Sequence, residues 1–129
     1  MNKIIVEVSI GELLDKISIL EIKQEKIKDP EKLKFINNEH SILKAQLESS
    51  VKSDEKLNSF YQSLKEINSK LWVIEDDKRR CEKDKDFGEK FIKLSRDVHF
   101  LNDDRAKIKL EINNLTGSTI KEIKEYTTY

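Results

Sequence analysis

Between Leu57 and Leu115 the chain sets apolar side chains in steps of three and four. The first series is Leu57, Phe60, Leu64, Ile67, Leu71 and Ile74; the second is Phe87, Phe91, Leu94, Val98, Leu101, Ile108, Ile112 and Leu115. Such spacing draws a single apolar stripe along each of two helices. The charged run Lys83 to Asp86 lies between them, with Gly88 just beyond, so the chain must reverse near residue 86. Each arm is then about 25 to 30 residues, or about 40 Å at 1.5 Å per residue, and the two close as an antiparallel hairpin. The second stripe has one irregular member. Between Leu101 and Ile108, Arg105 occupies a position that the pattern reserves for an apolar side chain.

The chain has 129 residues, which fits one domain with a real core. Charged residues make up 39% and hydrophobic ones 36%, with three glycines and one proline, a balance that favours helices with solvated outer faces over sheet. The fold class expected is therefore all-α: an antiparallel bundle of two helical hairpins, about four helices, the second hairpin longer. Lys plus Arg and Asp plus Glu both total 25, and no basic stripe interleaved with aromatics occurs, which sets nucleic acid aside as a partner. No stretch approaches a membrane span or a signal-peptide core, so a cytoplasmic location is expected, with no membrane partner.

In chain order, residues 1–9 read as a short strand or extended arm, because Lys3-Ile4-Ile5-Val6-Glu7-Val8 is rich in β-branched residues. A single strand needs a partner for its backbone, either the C-terminal tail or the same arm of another copy, which suggests a homo-oligomer. Residues 10–48 form the first hairpin. Ser9 and Glu12 fit a capping box at its start. Ile10, Leu13, Ile17, Leu20 and Ile27 make one stripe while Leu14, Ile19 and Ile22 add apolar surface elsewhere, so the first helix is surrounded on several sides or carries a second interface. Asp29-Pro30 ends that helix and opens the next, whose stripe is Leu33, Ile36, His40, Leu43 and Leu47. Residues 53–115 form the long hairpin, with Ser53 as its first cap, and 116–129 are a tail of open conformation.

Chemistry-bearing motifs are few. Neither His40 nor His99 has a partner at metal-ligand spacing, and neither follows a Glu by three residues, so no metal site and no cofactor is expected. Cys81 continues the stripe seven residues after Ile74 and reads as a small buried hydrophobe. There is no Ser-His-Asp arrangement and no glycine-rich phosphate loop; an enzyme would have to be built from Lys, Arg, Asp and Glu.

Attention therefore falls on Arg105. With a reversal near residue 86 it lies level with Ile67, Asn68 and Leu71, and Trp72 is about one turn away. A guanidinium entering an apolar seam must meet a carboxylate or reach water. In one reading it snorkels at the edge or pairs with Asp15, Glu21, Glu12, Asp103 or Asp104. In the other, Arg105 and Lys109, with Lys16 or Lys23 from the first helix and Trp72 as a wall, line a pocket for a small carboxylate or phosphate.

The segments Glu7-Val8-Ser9, Gly11-Glu12-Leu13, Asp15-Lys16 and Ile19-Leu20-Glu21-Ile22-Lys23, with Leu71-Trp72, Ile74-Glu75-Asp76, Phe87-Gly88, Phe91, Asn102-Asp103, Arg105-Ala106, Ile108-Lys109 and Ile112-Asn113, resemble a family of short bacterial and phage proteins classed as a domain of unknown function. The resemblance implies no activity. It does supply a shortlist of polar motif positions: Glu12, Asp15, Lys16, Lys23, Trp72, Glu75, Asp76, Asn102, Asp103, Arg105 and Lys109. The stretch from Leu14 to Lys23 is also similar to the opening helix of the all-helical chorismate mutases, but those enzymes hold a dicarboxylate with several arginines, lysines and a glutamine. This chain has only Arg79, Arg80, Arg96 and Arg105, and no catalytic residue carries over. Two functions stay open: a non-catalytic protein-interaction or assembly module, and a small-anion-binding bundle, with or without enzymatic activity, centred on Arg105.

Overall fold

The computed structural model describes residues 2–120 and 122–129. Four helices account for most of it: α1 (Ile10–Lys26), α2 (Pro30–Ser50), α3 (Glu55–Asp84) and α4 (Glu89–Thr116). The architecture is the all-α bundle expected from the periodicity. α3 and α4 close as the long hairpin, with 30 and 28 residues against 17 and 21 for α1 and α2.

α1 is the hub. It is the one helix whose backbone approaches all three others, while α2 approaches α1 alone. This explains its several apolar faces. Leu13, Leu14, Ile17, Leu20 and Ile22 are all buried, so most of the surplus greasy surface of the first helix is covered inside the chain, with Ile19 left half-buried. Leu14 joins Leu57, Leu64 and Ile112 in the central cluster, with Ile10, Leu47, Val51, Phe60, Tyr61 and Ile108 packed around it. On α2 the stripe Leu33, Ile36, His40, Leu43 and Leu47 is only half-buried, and no residue of that helix is fully buried. Toward its tip the long hairpin is two helices thick and can cover one stripe only. Cys81 is buried there as expected, but Val73, Phe87 and Ile92 are about half exposed.

Helix ends follow their capping chemistry with two departures. Ser9 Oγ accepts the Glu12 amide at 3.1 Å, but the Glu12 carboxylate does not reach back to complete the box; it is drawn to Lys109 instead. Asp54, not Ser53, caps α3, its Oδ1 accepting the Lys56 amide at 2.8 Å. Asp29 caps α2 as expected, and Pro30 takes the first position, where a missing N–H costs nothing.

The arm and the tail also resolve differently from the strand pairing considered above. No strand occurs among the described residues. Residues 2–9 carry no regular structure and leave Ile4 90% and Ile5 85% exposed, and no strand pairing joins them to the tail among the described residues. The tail instead runs back along α4. Lys109 Nζ donates to Glu122 at 2.9 Å, the Tyr129 hydroxyl donates to Asp103, and the Tyr129 ring meets His99 and Phe100 at 5.4 and 5.3 Å.

Both arms of the long hairpin end in a left-handed residue. At α4 this is Gly117 (φ 70°), which suits it; at α3 it is Lys85 (φ 54°), whose amide bonds back to Cys81 and Glu82 while the Asp86 amide bonds to the Cys81 carbonyl at 2.8 Å. A β-carbon in that region costs about 1 kcal/mol. Lys85→Gly is therefore expected to stabilise the fold by about 0.5 kcal/mol or more, read as a higher urea midpoint at unchanged slope.

Candidate functional site

Asp15 is 1% exposed although it carries a carboxylate. An isolated charge in such a place would cost several kcal/mol, so its partners are the first thing to account for. Arg105 faces it from α4 in a two-pronged grip: Nε donates to Oδ1 at 3.0 Å and Nη2 donates to Oδ2. From α3, Asn68 Nδ2 donates to the same Oδ1 at 2.8 Å and to Ser18 Oγ at 2.7 Å, and Ser18 Oγ in turn donates to the Asp15 carbonyl at 2.7 Å. Three helices thus meet at one carboxylate. No buried side-chain nitrogen or oxygen among the described residues is left without a partner.

A second cation lies one turn along α4. Lys109 Nζ donates to Glu12 at 2.7 Å and to Glu122 at 2.9 Å, and stands 3.8 Å from Asp15 Oδ2. Burial would lower its pKa, but the bonds it donates to Glu12 and Glu122, with the nearby Asp15 charge, win and hold it above the ordinary lysine value. For Arg105 the hydrogen bonds to Asp15 are the main cause of an upward shift, against burial. Glu122 is held below the usual carboxylate range, first by its bond from Lys109. Close approach of α1 to α4 makes the arrangement possible. The Gly11 amide donates to Asn113 Oδ1 at 2.7 Å, and a β-carbon on Gly11 would stand 2.6 Å from the Lys109 carbonyl oxygen.

The structure brings together Arg105, Lys109, Glu12 and Asp15, and Asn102 joins at the margin, accepting from Arg105 Nη1 at 3.4 Å. It does not bring the others into that cluster. Asp103 accepts from Tyr129, Lys16 is exposed, and neither Lys16 nor Lys23 borders the cavities that Arg105 lines. Arg105, Lys109 and Lys124 do border a cavity of about 320 Å³, but Glu12 and Glu122 border it too, and the three cations are paired with Asp15, Glu12 and Glu122. Trp72 shares a second cavity with Arg105. With Asn68, Leu71, Ile19 and Ile22 the two border a groove of about 320 Å³ between α1 and α3 that reaches α4 at Arg105, edged by Glu75, Asp76 and Arg79.

A separate polar group, not anticipated from the sequence, ties α1 to α2 and α3. The Tyr61 hydroxyl donates to Glu21 Oε1, His40 Nε2 lies 3.0 Å from Glu21 Oε2, and Lys65 bonds Glu25 at 3.0 Å. Helical spacing hides such a meeting, because Glu21 and Tyr61 are 40 residues apart. Among the described residues no group of three or more His, Cys, Asp or Glu is placed to hold a metal ion.

Two outcomes follow. Asp15→Ala leaves the half-buried Arg105 without its partner and is expected to destabilise by about 3 kcal/mol or more, whereas Asp15→Leu combined with Arg105→Met is expected to recover most of that loss. Urea denaturation of the two variants beside the parent measures this. The second concerns pH. Burial would raise the Glu21 pKa, but the bonds from Tyr61 and His40 and the charge of Lys65 outweigh it, and the folded value lies below the ordinary 4.5. Its contribution is present above that ordinary value and is lost as pH falls through the folded one. Stability is therefore expected to drop between about pH 5 and pH 3 more steeply in the parent than in Glu21→Gln.

Comparison with known proteins gives a family and no activity. A family model described as "Family of unknown function (DUF6165)" matches residues 4–129, and the chain belongs to that family. Neither a curated protein nor a solved structure matches it.

Proposed function

We propose that this member of a family of unknown function is a non-catalytic protein-interaction module that assembles with a second copy of itself through its N-terminal arm. The observation that carries the reading is the arm: Ile4, Ile5 and Val6 are 90%, 85% and 69% exposed. No backbone hydrogen bond involves residues 2–8 among those outside the helices. A β-branched run with bare N–H and C=O groups is a template for strand pairing. Its charge pattern suits its own copy. In an antiparallel pair centred on Ile5, Lys3 of each arm faces Glu7 of the other, and Ile4, Val6 and Val8 alternate onto one apolar face. Such a pair is isologous, so each contact is made twice. A two-stranded ribbon alone is marginal, and the half-exposed Leu115 and Ile120, near the arm's root at the Ile10–Ser118 hydrogen bond, offer apolar surface for it to cover.

A small-anion pocket at Arg105 is the competing reading. Against it stands the pairing of Arg105 and Lys109 with Asp15, Glu12 and Glu122, which leaves no uncompensated cation there.

Sedimentation equilibrium tests the assembly. A reversible dimer is expected, with a dissociation constant on the order of 10 μM. Lys3→Glu or Glu7→Lys alone is expected to give monomer, and the double reversal to restore the dimer. A single monomeric species up to about 300 μM would overturn the reading. A dimer indifferent to both charge reversals would place the contact elsewhere and overturn the arm pairing.

A further inference from the structure

The groove between α1 and α3 touches the ion cluster only at Asn68 and Arg105, and the arm takes no part in it. Its floor is apolar: Ile22 and Leu71 are buried, Ile19 and Trp72 half-buried. Its edge is charged, and the four charges there differ in what they already hold. Arg105 is gripped by Asp15, and Asp76 pairs with Arg80 at 2.9 Å. Glu75 and Arg79 hold nothing: neither takes part in an ion pair or side-chain hydrogen bond among the described residues. They stand one turn apart on α3, on the same side of the helix, both exposed and both bordering the groove.

A ligand carrying one charge would match one of these groups and leave the other facing a like charge or nothing. A ligand carrying both signs a few ångströms apart, next to an apolar group, matches all three parts at once. We propose that the groove binds a free α-amino acid with an apolar side chain, the side chain lying against Trp72, Leu71, Ile19 and Ile22, the ammonium on Glu75 and the carboxylate on Arg79. Arg79 offers a carboxylate two parallel donors, and a volume of about 320 Å³ suits a molecule of that size. The site is independent of self-assembly, since the arm contributes nothing to its lining.

Trp72 is the chain's single tryptophan and reports directly on the groove. Leucine, methionine and phenylalanine are titrated into the full chain while tryptophan emission is followed, with melting temperature as a second readout. N-acetyl-leucine, which keeps only the carboxylate, and 3-methylbutylamine, which keeps only the ammonium, serve as comparators. Saturable shifts are expected for the amino acids, at least tenfold weaker for both comparators. Glu75→Gln and Arg79→Gln, exposed and unpaired, are expected to keep the parent's circular dichroism and melting temperature while weakening binding at least tenfold. The inference fails if no amino acid gives a saturable change up to about 20 mM. It fails equally if a singly charged comparator binds as well as leucine, or if both variants bind as the parent does.

Discussion

A carboxylate shut away from water is the constraint around which this bundle is arranged. Asp15 could not sit at its place on α1 without Arg105 reaching from α4 and Asn68 from α3, so the charge fixes how three helices meet. Apolar packing alone is permissive, because stripes of leucine and isoleucine slide past one another at modest cost. A planar guanidinium gripping a carboxylate is not permissive, since a shift of one turn would strand both groups. The ion cluster thus sets the register that the greasy stripes leave open, and Gly11 keeps the two backbones close enough for it to form.

A lysine and an arginine one turn apart beside acidic neighbours look like ligand contacts in a sequence, and here both are held in ion pairs that tie helices together. What remains uncommitted lies elsewhere, in an apolar arm at one end and in a groove edged by Glu75 and Arg79. Surfaces of that kind recognise partners through shape and matched charge, without any need for a nucleophile.

Much of the architecture was legible from spacing. The two long stripes, the reversal near residue 86 and the Asp29-Pro30 break depend on local patterns, and local patterns survive in a sequence. The odd position of Arg105 also pointed to a buried pair, with Asp15 among its expected partners. Docking of one hairpin on the other was not legible, because it depends on contacts such as Glu21 to Tyr61 that no short-range pattern encodes. Nor was the fate of Lys109, whose acidic partners come from α1 and from a tail whose mixed helix and strand signals gave no register. The capping box failed for a related reason: the Lys109 ammonium offers Glu12 a charge-assisted hydrogen bond, which is stronger than one from the neutral Ser9 amide.

The position of α2 has a consequence for how the molecule breathes. The backbone of that helix comes close to α1 alone, and although Leu47 touches the central cluster no residue of α2 is completely buried; short connections join it at both ends. It can lift away and melt while α1, α3 and α4 stay locked at Asp15, so the chain divides into a loosely held unit and a tightly held one. Backbone amides of α2 should then trade their hydrogens for solvent deuterium through this partial opening, well before those around Leu64 and Ile112, which wait for the whole molecule to come apart.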